Sequence, residues 1–279
     1  MKLKFISIIS ILVILILVIL ISCNKLPKKK LSQFILKDVG YEVINDSLIV
    51  KLSNPLHCPI RINIKTKNKN LQEKLNQDFP LVLEHLSSKK ISYWTDTSKE
   101  QTQIKFLITL GNPNDTISKK SFSLPFKKDY TYKIIQGYNG DFSHSSKYSK
   151  YALDFNLKEG DTICAAADGY VVGVIEDYSL GGKSKKWRDY ANFITIFHPN
   201  MNLYTQYVHL TYKGSLVKVG DFVKFGQAIG LSGKTGLTTT EHLHFNVLKP
   251  NKSGMESVPI KFKEGYTGNS LKKGQWIKK

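Results

Sequence analysis

The chain has 279 residues, is 41% hydrophobic and 11% aromatic, and carries a formal net charge of +19. This composition excludes a disordered or collagen-like chain, and the length exceeds one usual core, so two domains are expected behind the N-terminus. The excess of Lys and Arg favours polyanionic surroundings, yet no zinc-finger, helix-turn-helix or RNA-binding signature occurs, so no nucleic acid is expected as a partner.

At the N-terminus, Lys2 and Lys4 precede an apolar run from Phe5 to Ile21, 17 residues long and short of the ~20 that a spanning helix needs. The segment ends in "LISC", which resembles the lipobox of bacterial lipoproteins. The resemblance implies cleavage before Cys23 and lipidation of its thiol, with residues 1–22 as the signal peptide. The chain is then expected to be lipid-anchored in the bacterial cell envelope, outside the cytoplasm. Residues 23–30 are basic and contain Pro27, and read as a mobile tether with some attraction to anionic headgroups. Membrane lipid and anionic cell-envelope polymers are the polyanions such an address offers.

From residue 31 to 127 short β-branched or alternating runs are separated by Asn, Asp, Pro and Gly: "YEVINDSLIVKLSN", "CPIRINIKTK", "KKISYWTD", "QIKFLITLGN" and "KSFSLPF". The spacing predicts an antiparallel β-sandwich-like accessory domain with no catalytic constellation. His57 and His85 stand alone. Cys58 and Cys164 fall far apart and are expected as two separately buried thiols.

Residues 128–279 change texture. Strand-like runs alternate with Gly turns in "GDTICAAADGYVVGVIED", "NFITIFHPNMNLYTQYVHL", "KVGDFVKFGQAIGLSGKTG" and "HLHFNVLK", and helical periodicity is nearly absent. The whole chain is therefore expected to be all-β. Between the first two runs, Tyr178 to Tyr190 form a basic loop too long for a plain hairpin, which makes Trp187 a candidate for a substrate groove.

Five of the seven histidines fall in this half: His144, His198, His209, His242 and His244. His242 and His244 are two apart in a strand-like run and share a face, while Leu243 and Phe245 point the other way. Such a pair suits a metal or a proton-transfer site. Catalytic zinc uses three protein ligands, commonly imidazoles and a carboxylate, and His144 and Asp154 in "YNGDFSHSSKYSKYALDFNL" supply the missing types.

Taken in order, "SH…YALDF", "GDTICAAADGYV", "YVHL", "VGDFVKFGQAIGLSGKTG" and "HLHF" resemble the lysostaphin- and LytM-type zinc endopeptidases, which cut peptidoglycan peptides. The match covers residues 137–260. The resemblance implies the antiparallel β fold of that family (duplicated hybrid motif), one Zn2+ per chain held by His144, Asp154 and His244, and an unligated catalytic pair, His209 and His242. Nine residues separate His144 from Asp154, more than the simplest family pattern has, so Ser145 to Tyr151 read as a loop insertion. Asp141 is the alternative acidic ligand.

Zinc held by two neutral imidazoles and one carboxylate acidifies water and polarises a carbonyl, and an unligated His can shuttle the proton. Tyr204 and Tyr207 precede His209 at strand spacing and either line the site or pack in the core. His198 follows a strand and reads as structural. A second functional reading is a non-catalytic protein of the same fold that regulates cell-wall amidases, which loss of a ligand would favour; none is lost. A biotinyl or lipoyl carrier is a third, but Lys234 in "SGKTGLT" lacks the hairpin a carrier needs. HExxH and GxSxG do not occur.

Overall fold

The computed structural model describes residues 26–29, 38–95, 103–118 and 121–279. The expected signal peptide and Cys23 lie outside the described residues.

The first part is built from β1 (Gly40–Ile44), β2 (Ser47–Asn54), β3 (Ile60–Thr66), α1 (Lys69–Leu75), β4 (Leu81–Leu83), β5 (Ser87–Trp94) and β6 (Ile104–Leu110). Asn45 and Asp46, both at positive φ, close the β1–β2 hairpin, as their tolerance of left-handed backbone allows. Two three-stranded antiparallel sheets result, in the orders β1-β2-β5 and β4-β3-β6. Alternation turns Leu48, Val50 and Leu52 of β2 and Ile60, Ile62 and Ile64 of β3 into one buried cluster, which gives the sandwich-like arrangement. α1 was not legible from the strand-like surroundings. Asn68 caps it by accepting from Leu71 N, and Leu71 and Leu75 bury its inner face. The run "KSFSLPF" differs from expectation: it forms only isolated bridges, and Phe122, Leu124 and Phe126 pack into the core of the second part.

The second part continues with β7 (Thr131–Gln136), β8 (Leu153–Phe155), β9 (Thr162–Cys164), β10 (Gly169–Ile175), β11 (Gly181–Gly182), β12 (Phe193–His198), β13 (Leu203–Val208), β14 (Leu210–Ser215), β15 (Phe222–Val223), β16 (Ala228–Ser232), β17 (Gly236–Leu237), β18 (Leu243–Asn251), β19 (Gly254–Ser257) and β20 (Trp276–Lys278). Its main sheet runs β15-β10-β12-β13-β18-β8-β7-β20, with β19 paired to β18. One face, carrying Ile194, Ile196, Tyr207, Leu243 and Phe245, shares a core with Ile163, Leu210 and Ile229 of the small sheet β14-β16-β9. On the opposite face, Phe197, Tyr204 and Leu248 join the core of the sandwich. The sandwich therefore covers one end of the face whose other end holds the histidines.

Gly-Asp recurs in this part of the chain, at residues 160–161 and 220–221. Gly160 and Gly220 adopt positive φ in identical turns, in which Asp161 N and Asp221 N donate to the carbonyls of Lys158 and Lys218, and the Asp carboxylates accept from Lys158 N and Lys218 N. The basic loop is ordered by a 3-10 helix at Lys185–Tyr190 and by the short parallel pairing of β11 with β17. Residues 26–29 depart from a mobile tether: Leu26 packs with Trp187 and Phe193 against Tyr178 and Tyr190, and Lys29 pairs with Asp189. An apolar side chain this close to an aromatic cluster is covered rather than left in water.

Gly236, at φ +81, sits so close to Ala191 that an added Cβ would lie 2.5 Å from the Ala191 Cβ. Gly236→Ala is expected to lower unfolding free energy by at least about 1 kcal/mol in a denaturant titration. Gly40→Ala, where nothing lies within 4 Å and φ is not positive, is the neutral control; equal stability of the two variants would contradict the packing described.

Candidate metal and proton-transfer site

Register builds the site. Asp154 on β8 pairs directly with His244 on β18, His244 pairs with Val208 on β13, Val208 with Phe193 on β12, and Asp154 with Gln136 on β7. Residues opposite one another in a sheet share a face. One row across five strands therefore presents Phe193, Val208, His244, Asp154 and Gln136 to the same side.

His144 reaches this row from the turn before β8. Its ring is fully buried, and Nδ1 lies 2.8 Å from the Gly137 carbonyl, so Nδ1–H donates there and Nε2 keeps its lone pair. Nε2 is 3.1 Å from Asp154 Oδ1 and 3.2 Å from His244 Nδ1, and the latter is 2.8 Å from the same Oδ1. Gln136 Nε2 donates to the other oxygen, Oδ2, at 3.1 Å, which leaves Oδ1 facing the imidazoles. These three donor atoms form a compact cluster, all within 4.8 Å of one another, a spacing from which one metal ion could be held. Two imidazole nitrogens facing each other across 3.2 Å need a proton or a cation between them. Two nitrogens and one carboxylate oxygen are a donor set that zinc accepts.

The electrostatics follow from that crowding. Burial pushes the Asp154 carboxyl up, but the imidazoles of His242, His144 and His244 outweigh it and hold the group well below the usual carboxylate range. Burial disfavours charge on His144 too, yet Asp154 beside it raises its proton affinity above the ordinary value of 6.5. Burial lowers His244 in spite of Asp154.

His242 and His209 stand beside the cluster and outside it. His242 Nε2 lies 3.8 Å from Asp154 Oδ2, and its Nδ1 lies 2.9 Å from the Thr240 carbonyl. His209 Nδ1 lies 2.6 Å from the Thr235 carbonyl. Both rings thus donate from Nδ1 to backbone and keep the Nε2 lone pair, and their centroids are 4.5 Å apart. Burial, with His242 and His244 adding to it, holds His209 well below its ordinary range, so it is neutral near pH 7. His209 adopts φ +71, fixed by hydrogen bonds from His209 N and Leu210 N to the Asn192 carbonyl. Asn192, fully buried, also ties its side chain to Tyr178, Leu210 and Thr211.

His209 and His244 open into a groove of about 450 Å³. One wall is the stretch read as an insertion, with Ser146, Tyr148 and Ser149; the other carries Arg188, Asp189 and Phe193. Tyr148 donates to Gln206 Oε1 across 3.1 Å. Three residues weighed for the groove sit elsewhere. Tyr207 turns to the core, its hydroxyl accepting from Ala166 N at 2.8 Å. Tyr204 packs under the sandwich. Trp187 packs edge-on to Tyr190, with ring centroids 5.9 Å apart, while the next two residues face the groove. Alternation explains the tyrosines: Tyr207 pairs with Phe245 on the core face, and Tyr204 lies two rows beyond Val208 on the site face. Sequence reading missed Gln136, Tyr148, Gln206 and Asn192, none of which belongs to a recognisable motif. His198 is structural, buried between the Asp168 carbonyl and Thr205 Oγ1, and burial lowers it to about 4. Cys58 and Cys164 are separate buried thiols, and burial pushes Cys58 up to about 12.

Residues 148–257 match peptidase family M23. An uncharacterized metalloprotease of Buchnera aphidicola is 36% identical over 126 residues, which are 44% of this chain and 30% of the relative. The glycyl-glycine endopeptidase ALE-1 of Staphylococcus capitis is 33% identical over 152 residues, 52% of this chain and 36% of the relative. The chain thus spans about a third of the length of these curated relatives. The catalytic domain of lysostaphin from Staphylococcus simulans aligns with 46% of this chain and 88% of its own at 26% identity and a TM-score of 0.32. His144 lies four positions before the matched segment, and Asp154, His209, His242 and His244 lie inside it. Residues 148–257 of this chain thus carry the sequence pattern of a peptidase family M23 domain.

Proposed function

We propose that the chain is a zinc-dependent endopeptidase that hydrolyses peptide bonds in peptidoglycan cross-links, anchored to a membrane of the bacterial envelope through lipidated Cys23. The observation that carries this reading is the convergence of His144 Nε2, Asp154 Oδ1 and His244 Nδ1 beside a second, separately oriented pair of imidazoles at the base of a groove. A relative from Vibrio cholerae named peptidoglycan DD-endopeptidase ShyA, 35% identical over 117 residues, supports the substrate class. Residues 31–127 are read as an accessory domain and residues 128–279 as the peptidase domain.

His144, Asp154 and His244 would hold zinc, which supplies Lewis acidity that polarises a carbonyl and acidifies water to a pKa near ~7. The protein's own part is proton handling. His209, neutral and with its lone pair at Nε2, accepts a proton from the attacking water and returns it to the leaving amine. His242 lies against His209 in the same tautomer, so it shares this role and, once protonated, donates from Nε2 to the developing oxyanion. Thr235 and Thr240 carbonyls hold both rings in place through Nδ1–H. Gln136 holds the carboxylate so that Oδ1 faces the imidazoles. All three donors are retained, which speaks for catalysis over a purely regulatory protein of the same fold.

Two measurements test this. In protein lacking residues 1–22, His244→Ala is expected to lose both bound zinc and release of new peptide ends from cross-linked peptidoglycan. His209→Ala is expected to keep zinc and lose turnover by about 10²- to 10⁴-fold. A fully active His209→Ala would move the base to His242, and unchanged activity in metal-free protein would end the zinc mechanism. The second concerns pH. His144 binds a proton below its raised value and a cation only when that proton is gone. Zinc affinity, read by chelator competition, is therefore constant above that value and falls below it by about tenfold per pH unit for one displaced proton. An affinity flat from about pH 8 to about pH 5.5 would contradict the ligand role of His144.

A further inference from the structure

The groove is lined by uncharged polar and apolar side chains apart from its histidines and two neighbours in the 3-10 helix, Arg188 and Asp189. Their charges do not cancel each other. Asp189 is paired with Lys29 of the docked segment 26–29, an ion pair that also raises the Lys29 proton affinity. Arg188 is exposed, and among the described residues no ion pair is made by its guanidinium. Lys185 and Lys186 precede it in the same helix, and Lys147 stands exposed on the opposite wall loop. Asp154, beneath the groove histidines, is enclosed by the imidazoles of His144, His242 and His244. A bound peptide therefore meets one uncompensated fork of donors, suited to a carboxylate in two-point contact, in a field that is positive on both rims.

We propose that Arg188 is a specificity-determining residue that selects peptides bearing a free carboxylate near the scissile bond, so that the groove prefers anionic stem peptides to neutral glycine bridges. The inference rests on the reading of the site as an endopeptidase and names the substrate chemistry of that same site. Residue 29 takes part at one remove: by neutralising Asp189 it keeps a competing acceptor off Arg188.

The test uses two synthetic cross-linked stem peptides, identical except that one carries a free carboxylate and the other the carboxamide, with binding and kcat/KM both measured. Wild-type protein is expected to favour the carboxylate peptide by about fivefold, as for an exposed ion pair, and the preference should shrink as salt is raised. Arg188→Gln is expected to bring the carboxylate peptide down to the level of the carboxamide while the melting temperature stays put. Lys29→Ala, which frees Asp189, should narrow the preference. Equal binding of the two peptides by wild-type protein, or a preference that survives in Arg188→Gln, would overturn the proposal. Preferential, Arg188-dependent binding without hydrolysis of either peptide would support it while sinking the endopeptidase reading.

Discussion

The pairing of His244 with Asp154 across β18 and β8 is the constraint on which the rest of the site depends. A carboxylate only 4% exposed is costly to ionise unless opposite charge or strong donors surround it. The sheet supplies them by register: His244 from one neighbouring strand, Gln136 from the other, and His144 and His242 from the turns that flank β8 and β18. A one-residue slip of β18 would send His244 to the core side and bring Leu243 or Phe245 to the groove. The hydrophobic core and the polar site thus enforce the same register, because Leu243 and Phe245 are buried in the core on the opposite face.

A second constraint fixes what each imidazole can do. His144, His209 and His242 each commit Nδ1–H to a main-chain carbonyl, of Gly137, Thr235 and Thr240 respectively. The carbonyls belong to irregular segments, which are free to turn a carbonyl toward a side chain because no ladder consumes it. The segment carrying Thr235 is in turn held by Asn192, whose main-chain N–H donates to Thr235 Oγ1 and whose side-chain amide and main-chain carbonyl gather the loop after β10, His209 and the start of β14. Close contact of Gly236 with Ala191 lets the loop carrying Thr235 approach from the far side. Rigid strands place the metal-facing atoms, and tied-down loops place the proton-handling ones.

This division also sets what could be read from the amino-acid string. Strand alternation and Gly-Asp turns expose β2, β3, β12, β13 and β18, and the His-x-His spacing announces a shared face, because these are local properties of the backbone. The resemblance carried by the ordered motifs then implies different roles for His244 and His242; in the structure His244 Nδ1 lies 2.8 Å from Asp154 Oδ1 and His242 Nε2 lies 3.8 Å from Oδ2. Gln136, Asn192 and Tyr148 escape such a reading, since their roles come from cross-strand register and long-range hydrogen bonds rather than from neighbours in sequence. Tyr204 and Tyr207 show the converse: spacing places them near His209, but pairing with Leu248 and Phe245 sends one under the sandwich and the other into the core. Trp187 is displaced by one helical step, its aromatic cluster turning Arg188 and Asp189 to the groove instead. The helix α1 was hidden because seven residues are too few to establish a period.

In the proposed mechanism His144, Asp154 and His244 together hold one zinc ion. X-ray absorption at the zinc edge, with metal counting on the same sample, tests it most directly. One zinc per chain is expected, with nitrogen and oxygen neighbours at about 2.0–2.2 Å and the scattering pattern of two imidazoles. A sulfur shell at about 2.3 Å, or a zinc signal that persists unchanged in His144→Ala, would contradict it.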